Sequence, residues 1–300
     1  MGEIVQRCGY VAFVGRPNVG KSTLLNRLVG QKLCITSRKP QTTRHRVLGI
    51  KTTDDTQFIF VDTPGMHVDN KHAMNRYMNR AAKTAVHDVD IVVFVIDGTG
   101  WTDGDDLVLE RIEHTEAKVL IAVNKVDKLE KKEALLPLMQ KLSAIENVTD
   151  IIPVSATKGD NIDTLESTLK SLLPESEFFF DEEQVTDRSM RFIAAELIRE
   201  KLIRRLGKEL PYSLTVEIEE YENKEGMLHV GAVIWVERSG QKAIVIGKDG
   251  SMLKEIGRQS RLDLEKMLDE KVFVRLWVKV KEGWSDDSRA LRSLGYTDDF

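Results

Sequence analysis

The first 175 residues alternate between short apolar runs and stretches of helical period. The apolar runs are rich in Val and Ile, and they lie at 10–14, 58–61, 91–96, 119–123 and 151–154. Runs that are apolar throughout are typical of strands buried on both faces of a parallel sheet. Between the runs lie amphipathic stretches, which predict helices, at 22–28, 105–115 and 133–142. This β-α repetition predicts an α/β domain with a doubly wound sheet.

The hydrophobic pattern changes beyond Asp181. Helical period predicts helices, in chain order, at 190–205, 242–245 and 251–268. Alternating apolar and polar residues predict strands at 212–221, 229–236 and 272–280, with a polar turn at 222–226 between the first two. The order α-β-β-α-α-β predicts a second domain of the α+β class.

An acidic segment at 175–184 separates the two patterns and contains three consecutive phenylalanines, Phe178, Phe179 and Phe180. Either it is a linker whose aromatic side chains dock between the domains, or it is an edge piece of the first domain. We place the first domain at 1–175, the linker at 176–188, the second domain at 189–283 and a tail at 284–300. Within the tail we expect Trp284 to cap the last strand rather than to stack on a nucleic-acid base.

The composition is that of an ordinary globular protein, with 300 residues, 41% hydrophobic and 31% charged. The 44 Lys and Arg residues against 48 Asp and Glu give a net charge of −4, which excludes a bulk polycation. Two cysteines exclude a disulfide scaffold, and the six histidines show no metal-ligand spacing. The apolar run at 91–96 is far shorter than the roughly 20 residues that a membrane span needs, and the N-terminus has no secretory signal pattern. We therefore expect a cytoplasmic protein.

A phosphate loop of the pattern G-x-x-x-x-G-K-[ST] lies between the first predicted strand and the first predicted helix. Gly15 and Gly20 let backbone N–H groups point at an anion, and the helix N-terminus adds partial positive charge. We expect Lys21 to reach the β- and γ-phosphates and the Ser22 hydroxyl to bind Mg²⁺. The residues predicted to contact the nucleotide here are Gly15, Arg16, Pro17, Asn18, Val19, Gly20, Lys21, Ser22 and Thr23.

Two further segments are predicted to lie around the same metal and γ-phosphate. The stretch Asp62, Thr63, Pro64, Gly65 follows a predicted strand, which places the Asp62 carboxylate near the metal and the Gly65 N–H toward the γ-phosphate. A threonine hydroxyl from 40–44 completes the magnesium shell when a γ-phosphate is present, and we expect Thr43, with Thr42 as the alternative. The predicted metal ligands are Ser22, Thr43 and Asp62, and the predicted catalytic groups are Lys21, Thr43 and Gly65.

A base-recognition motif, Asn124 to Asp127, follows another predicted strand. Guanine presents an N1–H and a 2-amino group side by side and adenine has neither, so a fixed Asp127 carboxylate selects guanine. We expect Asn124 to brace the loop and face the base N7, and the Lys125 stem to lie on the base plane. After the next strand, Ser155 and Ala156 complete the predicted pocket, with the Ala156 N–H donating to the guanine O6.

These five motifs, in this order, resemble the translation-factor class of GTPases and the TrmE–Era group within it. The residue after Gly65 is Met66, which cannot orient the attacking water as a Gln does in Ras-like enzymes. The resemblance therefore implies that hydrolysis is slow or uses another group. It also implies a potassium ion at Asn18; the alternative is that Asn18 only stabilises the turn.

Two loops, at 36–46 and 62–80, are expected to order around the γ-phosphate of GTP and to relax after hydrolysis. Three histidines lie in or near the second of them. We expect each to be a solvated loop residue: His67, His72 and His87.

The second predicted domain carries a G-x-x-G loop between two helices. Such a loop clamps about four nucleotides in KH domains, although a plain helix–turn–helix connection has the same pattern. Together with the element order, it resembles a type II KH domain. Residues 181–300 carry 21 basic and 24 acidic residues, but 238–281 carry 11 basic and 6 acidic, which predicts a local basic stripe. The predicted RNA contacts are Lys242, Ile246, Gly247, Lys248, Asp249, Gly250, Lys254 and Arg258.

A GTPase domain followed by a KH-like domain is similar to the Era family of bacterial GTPases over nearly the whole chain. The resemblance implies a switch that uses GTP and Mg²⁺, binds the 3′ end of 16S rRNA, assists maturation of the 30S subunit and associates loosely with the inner membrane. No DNA partner is expected. The residues alone leave three other functions open: a second domain that binds a protein or anionic lipid, an RNA-binding chaperone in which nucleotide only stabilises the fold, and an ATPase.

Overall fold

A six-stranded sheet forms the centre of the first domain in the computed structural model, which describes residues 5–37, 39, 42–65, 72–207 and 213–296. The strands are β1 (Arg7–Val14), β2 (Val47–Thr52), β3 (Thr56–Asp62), β4 (Ile91–Asp97), β5 (Lys118–Asn124) and β6 (Val148–Pro153). Their order is β2-β3-β1-β4-β5-β6, and all neighbours are parallel except β2 and β3. The predicted doubly wound α/β class is confirmed.

The edge strand β2 is an element that the apolar pattern did not predict. Its sequence is interrupted by Gly49 and ends in polar residues, so it is no continuous apolar run. The glycine has a packing reason, because a Cβ there would lie 2.9 Å from the Val29 side chain of the first helix.

Helices cover both faces of this sheet: α1 (Lys21–Val29), α2 (Ala73–His87), α3 (Asp103–Ile112), α4 (Leu136–Leu142) and α5 (Ile162–Leu172). Leu24 and Leu28 of α1 pack with Leu165 of α5 in one core cluster, while Val108 of α3 and Leu142 of α4 belong to the cluster on the other face. Burial of these apolar side chains stabilises the doubly wound arrangement. Within the part of the chain that is described, no helix has both the length and the hydropathy of a membrane span.

The second domain has the predicted order of elements: α6 (Met190–Arg205), β7 (Leu214–Lys224), β8 (Met227–Val236), α7 (Ser239–Ile246), α8 (Ser251–Leu268) and β9 (Val272–Val280). The sheet order is β7-β8-β9, with β7 antiparallel and β9 parallel to β8. Ile198 of α6, Ile256 of α8 and Val278 of β9 share one core. The α+β KH-like class is confirmed. The turn after β7 is shorter than predicted, because the strand continues to Lys224 and only Glu225 and Gly226 have left-handed backbone.

The acidic segment between the domains lies on the first sheet. Phe178 and Phe180 pack against the core cluster of Ile59, and the Gln57 side chain accepts hydrogen bonds from the backbone N–H groups of Phe179 and Phe180 at 2.9 and 3.0 Å. Of the two interpretations of this segment, the structure therefore supports the edge piece of the first domain. The numerical domain boundaries stay predictions.

The tail returns to the first domain instead of capping the last strand. After β9 the chain forms a short helix, α9 (Ser288–Ser293). Trp284 is fully buried, and it clusters with Met74 and Tyr77 of α2 and with Tyr296. The expectation that Trp284 caps β9 is therefore wrong, because the apolar residues with which it clusters belong to α2 and to the tail itself.

Candidate functional site

The phosphate loop has a backbone that requires its two glycines. Gly15 and Gly20 have φ angles of +150° and +106°. A Cβ at Gly15 would lie 2.3 Å from the Val95 carbonyl oxygen, and one at Gly20 would lie 2.3 Å from Nδ2 of Asn124. Both positions therefore combine left-handed backbone with close approach of a neighbouring strand end, which only glycine tolerates.

Lys21 lies inside this loop rather than in solvent. Its ammonium donates to the carbonyl oxygens of Gly15 at 2.8 Å and Arg16 at 3.1 Å. Burial lowers the pKa of Lys21 to about 8, while the Asp62 carboxylate opposes that shift. An anion beside the ammonium would favour its charged form further. The Arg16 side chain turns away and pairs with buried Asp105 at the start of α3, at 3.0 Å.

Three predicted metal ligands meet at the end of β3. The Ser22 hydroxyl donates to Oδ2 of Asp62 at 2.7 Å, the Thr43 hydroxyl donates to the same oxygen at 3.1 Å, and the two hydroxyls are 2.9 Å apart. The alternative residue, Thr42, instead donates to the Lys39 carbonyl at 2.7 Å. The structure thus brings Thr43, and not Thr42, to Asp62.

The chemistry of this cluster fits Mg²⁺. Asp62 is fully buried, and its Oδ1 atom has no hydrogen-bond partner among the described residues. Burial raises the pKa of Asp62, and the Ser22 hydroxyl and Lys21 act against that rise. A buried carboxylate oxygen beside two hydroxyls is an oxygen donor set of the kind that Mg²⁺ prefers. Ser22, Thr43 and Asp62 are the residues that would hold it.

Most of the remaining phosphate-site residues lie around one cavity. Gly65 lies against the phosphate loop, because a Cβ there would be 3.1 Å from Cγ of Pro17. Thr63 is buried and its hydroxyl donates to the Phe13 carbonyl at 3.0 Å, so this side chain fixes the loop to β1. Buried Pro64 follows it. The cavity is lined by residues including Pro17, Asn18, Gly20, Lys21, Ser22, Thr23, Thr36, Thr43 and Gly65.

Asn124 joins the phosphate loop to the last loop of the site. Its Nδ2 donates to the carbonyl of buried Val19 at 2.8 Å, and its Oδ1 accepts from the Ala156 N–H at 3.0 Å. These two hydrogen bonds have the geometry that the predicted bracing role of Asn124 requires. The Ala156 N–H, which we expected to face the guanine O6, is held by Asn124 in this structure, and its contact with the base stays a prediction.

The base-recognition residues are held by side chains on neighbouring strand ends. The Ser155 hydroxyl donates to Oδ1 of Asp127 at 2.6 Å. Lys125 has left-handed backbone, and its ammonium pairs with Asp97 at 2.6 Å and donates to the carbonyl of Asn18. Sequence reasoning missed Asp97, although its position after an apolar strand is the same signal that identified Asp62. The roles of the predicted site residues toward nucleotide and metal stay predictions.

The first expected sensing loop, 36–46, is held by helix α6 of the second domain. Arg204 donates to the Thr36 carbonyl at 3.0 Å, and buried Glu200 accepts from the Thr36 N–H at 2.9 Å. Lys39 donates to the carbonyl oxygen of Ile203 in the last turn of α6 and to those of Leu206 and Gly207 just beyond it. The Arg199 guanidinium donates to the Thr42 carbonyl. The loop that carries Thr43 therefore contacts the second domain along most of its described length.

The second expected sensing loop is only partly a loop. Helix α2 begins at Ala73, so the prediction of a loop up to residue 80 is wrong. The helix forms because its apolar residues, including Met74, Tyr77 and Met78, make one face that the tail covers. Met66 and His67 lie outside the described residues, as does the side chain of His87. His72 is exposed, as expected, and pairs with Asp286 of the tail at 3.0 Å.

His45 stands where both sensing segments meet the second domain and the tail. Its Nδ1 atom lies 3.2 Å from the Tyr77 hydroxyl, its ring stacks on Tyr296 at 4.5 Å, and Phe192 meets it edge-on at 5.2 Å. Burial lowers the pKa of His45 from 6.5 to about 3. The folded protein therefore keeps this imidazole neutral at pH values where the unfolded chain protonates it.

This difference predicts a pH dependence of stability. The lowered folded pKa means that the unfolded state binds more protons between about pH 6.5 and pH 3, so stability is lost as pH falls through that window. Between pH 7 and pH 5 we expect the free energy of unfolding to fall by about 2 kcal/mol through His45. Urea denaturation at both pH values should show this slope in the wild type and in His114→Gln, which changes an exposed histidine. His45→Gln should lack the slope, and an unchanged slope would contradict the prediction.

The G-x-x-G loop has the backbone that its glycines allow. Gly247 and Gly250 have φ angles of +74° and +75°, and a Cβ at Gly247 would lie 2.7 Å from Cβ of Met252. Lys248 and Asp249 between them are exposed. An open groove begins at this loop and runs between α8 and β9; its lining residues include Gly250, Lys254, Arg258, Arg261, Phe273 and Arg275.

The groove does not include every predicted RNA contact. Lys242 is exposed on α7, and half-buried Ile246 packs against the core cluster of the second domain. Arg258 lines the groove but pairs with Glu255 at 2.8 Å, and Arg205 pairs with the same carboxylate at 3.0 Å. Arg261 belongs to the predicted basic stripe and lines the groove, but Phe273 and Arg275 were missed, because only the fold shows that β9 lies opposite α8.

A guanine-nucleotide site on a doubly wound sheet, followed by a KH fold, places this chain among the P-loop GTPases that carry a KH domain. Two family models match it: 50S ribosome-binding GTPase over residues 10–125 and KH domain over residues 209–285. The GTPase Era of Ectopseudomonas mendocina (strain ymp) is 60% identical over 294 residues, which are 98% of each chain. Era of Marinobacter nauticus is 59% identical over 97% of this chain and 96% of that one. The chain belongs to the Era family and is a GTPase.

Solved structures of Era have the same fold over nearly the whole chain. One, a complex of Era with MgGDPNP and nucleotides 1506–1542 of 16S ribosomal RNA, has a TM-score of 0.94 at 40% identity and covers 97% of this chain and 99% of that one. A variant of Aquifex aeolicus Era bound to GDP and AlF₄⁻ has the same TM-score and identity, and covers 97% of this chain and 100% of that one.

Proposed function

We propose that this chain is a GTP-driven switch whose KH domain binds the 3′ end of 16S rRNA and so assists maturation of the 30S subunit. The observation that carries the proposal is the contact between the loop of Thr43 and helix α6, since it joins the nucleotide site to the RNA-binding fold. The 40% identical Era structure in complex with 16S rRNA nucleotides supports the choice of RNA.

GTP hydrolysis is in-line phosphoryl transfer to water, and the chain contributes mainly positioning and charge. The loop between Gly15 and Ser22 directs backbone N–H groups and the Lys21 ammonium at the phosphates. Ser22, Asp62 and Thr43 would hold Mg²⁺, which would supply further positive charge. A potassium ion at Asn18 is part of the proposal; this residue has left-handed backbone, with φ at 66°, and lines the cavity of the phosphate site.

Coupling between the domains requires that the γ-phosphate and the RNA favour the same arrangement. The γ-phosphate acts on Thr43, and the loop of Thr43 is bound at Thr36 and Thr42 by Arg204 and Arg199 of α6. Movement of this loop after hydrolysis therefore removes hydrogen bonds from α6, the first helix of the KH fold. By reciprocity, RNA that favours one position of the second domain changes the affinity for GTP.

A second domain that binds anionic lipid is the alternative that a specific observation favours. The groove presents Lys254, Arg258 and Arg261, and basic side chains suit lipid headgroups as well as phosphodiesters. Loose association with the inner membrane belongs to the same proposal. Binding to vesicles that contain anionic lipid, with neutral vesicles as the comparison, measures it directly.

The test of RNA binding compares GTP-analogue-loaded and GDP-loaded protein at one stated salt concentration. The probe is a single-stranded RNA that copies the 3′ end of 16S rRNA. We expect tighter binding in the GTP-analogue form, and about tenfold weaker binding by Lys248→Asp, because charge reversal at an exposed phosphate contact opposes a polyanion. Lys266→Asp, which makes the same charge change on an exposed part of α8 outside the groove, is the matched control.

Each outcome tests a different part of the proposal. Equal affinity in both nucleotide states would remove the switch but keep the RNA partner. Absence of binding in both states would overturn the RNA partner and leave the protein or lipid alternative.

A further inference from the structure

Helix α2 has no side-chain cap of its own at its N-terminus. The first four N–H groups of a helix have no partner inside the helix. In the part of the chain that the structure describes, the side chain of the preceding residue, His72, caps none of them, and the first turn contains no acidic residue. Because α2 follows the loop of Gly65, whatever fixes its first turn also limits where that loop can lie.

The tail supplies the partners that α2 lacks. Oδ1 of Asp286 accepts from the Ala73 N–H at 3.0 Å, and the Ser285 carbonyl oxygen accepts from the Met74 N–H at 3.2 Å. The carboxylate also places negative charge at the positive end of the helix dipole. A residue 213 positions further along the chain therefore caps α2 as a neighbouring Asp caps other helices.

Apolar contacts hold the tail along the same helix. Trp284 is fully buried in a cluster that includes Met74, Tyr77 and Met78. Its indole Nε1 atom has no hydrogen-bond partner among the described residues. Burial of the ring therefore holds Trp284 on α2 despite the cost of an unpaired N–H.

The tail is attached to the second domain at the same time. The Ser285 hydroxyl donates to Oε1 of Glu237, the residue after β8, at 2.6 Å. The Tyr296 hydroxyl lies 2.9 Å from the Thr215 hydroxyl on β7. The tail thus connects the sheet of the second domain to α2 of the first domain.

Tyr296 also contacts both segments that are expected to sense the γ-phosphate. Its ring stacks on His45, and Tyr77 of α2 meets it edge-on with 5.6 Å between the ring centroids. The guanidinium of Arg44, the residue after Thr43, donates to the Tyr296 hydroxyl at 3.2 Å. One side chain of the tail therefore supports the residues beside Thr43 and the helix beyond Gly65.

The docked tail accompanies the arrangement that is expected around GTP. In the same structure Thr43 meets Asp62, and Gly65 lies against the phosphate loop. Asp286 and Trp284 are not among the residues that line the phosphate cavity, so the tail does not occupy it. These contacts favour a tail that holds Thr43 and Gly65 in place over a tail that blocks the site.

We propose that the tail positions the two γ-phosphate segments for GTP hydrolysis, with Asp286 as the positioning residue that fixes α2 and, through α2, Gly65. This inference rests on the proposed roles of Gly65 and Thr43 at the γ-phosphate. It adds to them a residue that follows the last strand of the second domain. The second domain then reaches the nucleotide site by two routes, α6 to the loop of Thr43 and the tail to α2.

The test compares full-length Asp286→Ala with the wild type in single-turnover GTP hydrolysis and in affinity for GDP and a GTP analogue. We expect the hydrolysis rate to fall about fivefold, the factor that corresponds to loss of one helix cap, and the affinity for the GTP analogue to fall by a smaller factor. The affinity for GDP should not change, because GDP has no γ-phosphate for Gly65 to contact. Asp286→Asn should restore the wild-type values, since Asn caps a helix as well as Asp does.

Two further variants guard against indirect effects. Asp287→Ala removes the cap of α9, where the carboxylate accepts from the Arg289 N–H at 2.8 Å, and should leave the hydrolysis rate unchanged. Tyr296→Phe is the second variant if Asp286→Ala does not fold. It keeps the ring but removes the hydroxyl that contacts Arg44 and Thr215, and it should also slow hydrolysis.

The outcomes separate positioning from a purely structural role. A wild-type hydrolysis rate in Asp286→Ala, an equal loss of affinity for GDP and the GTP analogue, or the same slowing in Asp287→Ala overturns the proposal and leaves the tail a role in the fold alone. All of these measurements use nucleotide without RNA. Absence of RNA binding would therefore overturn the proposed function without affecting this inference.

Discussion

Replacing Asp127 by Asn is expected to weaken GTP binding about a thousandfold and to make xanthosine triphosphate the better ligand. In the proposed base pocket, the wild-type carboxylate accepts from the N1–H and 2-amino groups of guanine. Each charge-assisted hydrogen bond contributes about 1.5–3 kcal/mol, and their joint loss corresponds to this factor. Xanthine has an oxygen in place of the 2-amino group, and the amide introduced by Asp127→Asn can donate to it.

The Ser155 hydroxyl holds the side chain at position 127 in one orientation. Ser155 donates to Oδ1 of Asp127 at 2.6 Å and accepts from the Lys158 N–H at 3.0 Å, so the side chain at 127 is oriented before a base arrives. An amide in this position keeps a hydrogen bond to Ser155 through its oxygen and turns its NH₂ group toward the base. The substitution therefore exchanges an acceptor for a donor without moving the loop.

Equilibrium binding of fluorescent GTP and xanthosine triphosphate analogues measures the exchange. Asp160→Asn makes the same chemical change at an exposed position of the adjoining loop and should leave both affinities at wild-type values. Undiminished GTP affinity in Asp127→Asn would refute the assignment of the base pocket, and a wild type that prefers ATP would refute it more directly.

The nucleotide site was largely predictable because each motif is local and follows a strand. Asp62, Asn124 and Ser155 lie at or just after the ends of β3, β5 and β6, and the carboxyl ends of parallel strands meet at one edge of the sheet. Apolar runs in the sequence therefore predict both the strands and the edge of the sheet at which the functional side chains lie. Asp97 follows the same rule. It was missed because it belongs to none of the five motifs.

Contacts between distant parts of the chain were not predictable from local pattern. Trp284 packs on α2, and Arg204 contacts Thr36, across separations of about 200 and 168 residues. A loop was predicted over much of α2 because the many polar residues of this segment made its apolar positions hard to recognise. Those positions form one face of the helix, and the tail covers that face. Counting basic residues also overestimated the positive charge near the G-x-x-G loop, because Glu255 pairs with both Arg205 and Arg258.

Replacing Arg199 by Met is expected to lower the free energy of unfolding by about 4 kcal/mol, within the range for breaking a buried ion pair. Arg199 is 1% exposed and pairs with Glu196 at 2.7 Å. Burial acts to raise the pKa of Glu196, but the Arg199 charge and its hydrogen bonds more than offset this, so the pKa lies below its ordinary value. Without Arg199 the Glu196 carboxylate, which is only 13% exposed, loses its main partner.

Adding a second substitution separates the effect of Arg199 on stability from its effect on coupling between the two domains. Glu196→Leu combined with Arg199→Met removes both charges, and replacement of a whole buried pair by apolar side chains is often neutral. We therefore expect the double variant to regain most of the lost stability in urea denaturation. Arg258→Met, which breaks an exposed Glu–Arg pair of the same i, i+3 spacing on α8, should change stability little.

The double variant then tests the connection between the domains. We expect it to fold, yet it lacks the Arg199 hydrogen bond to the Thr42 carbonyl, next to the threonine that meets Asp62. If α6 transmits the nucleotide state through this loop, the ratio of RNA affinities between the GTP-analogue and GDP forms should fall toward one, while GTP binding itself persists. An unchanged ratio in a fully stable double variant would show that Arg199 serves the fold alone and that coupling runs through Glu200, Arg204 or the tail.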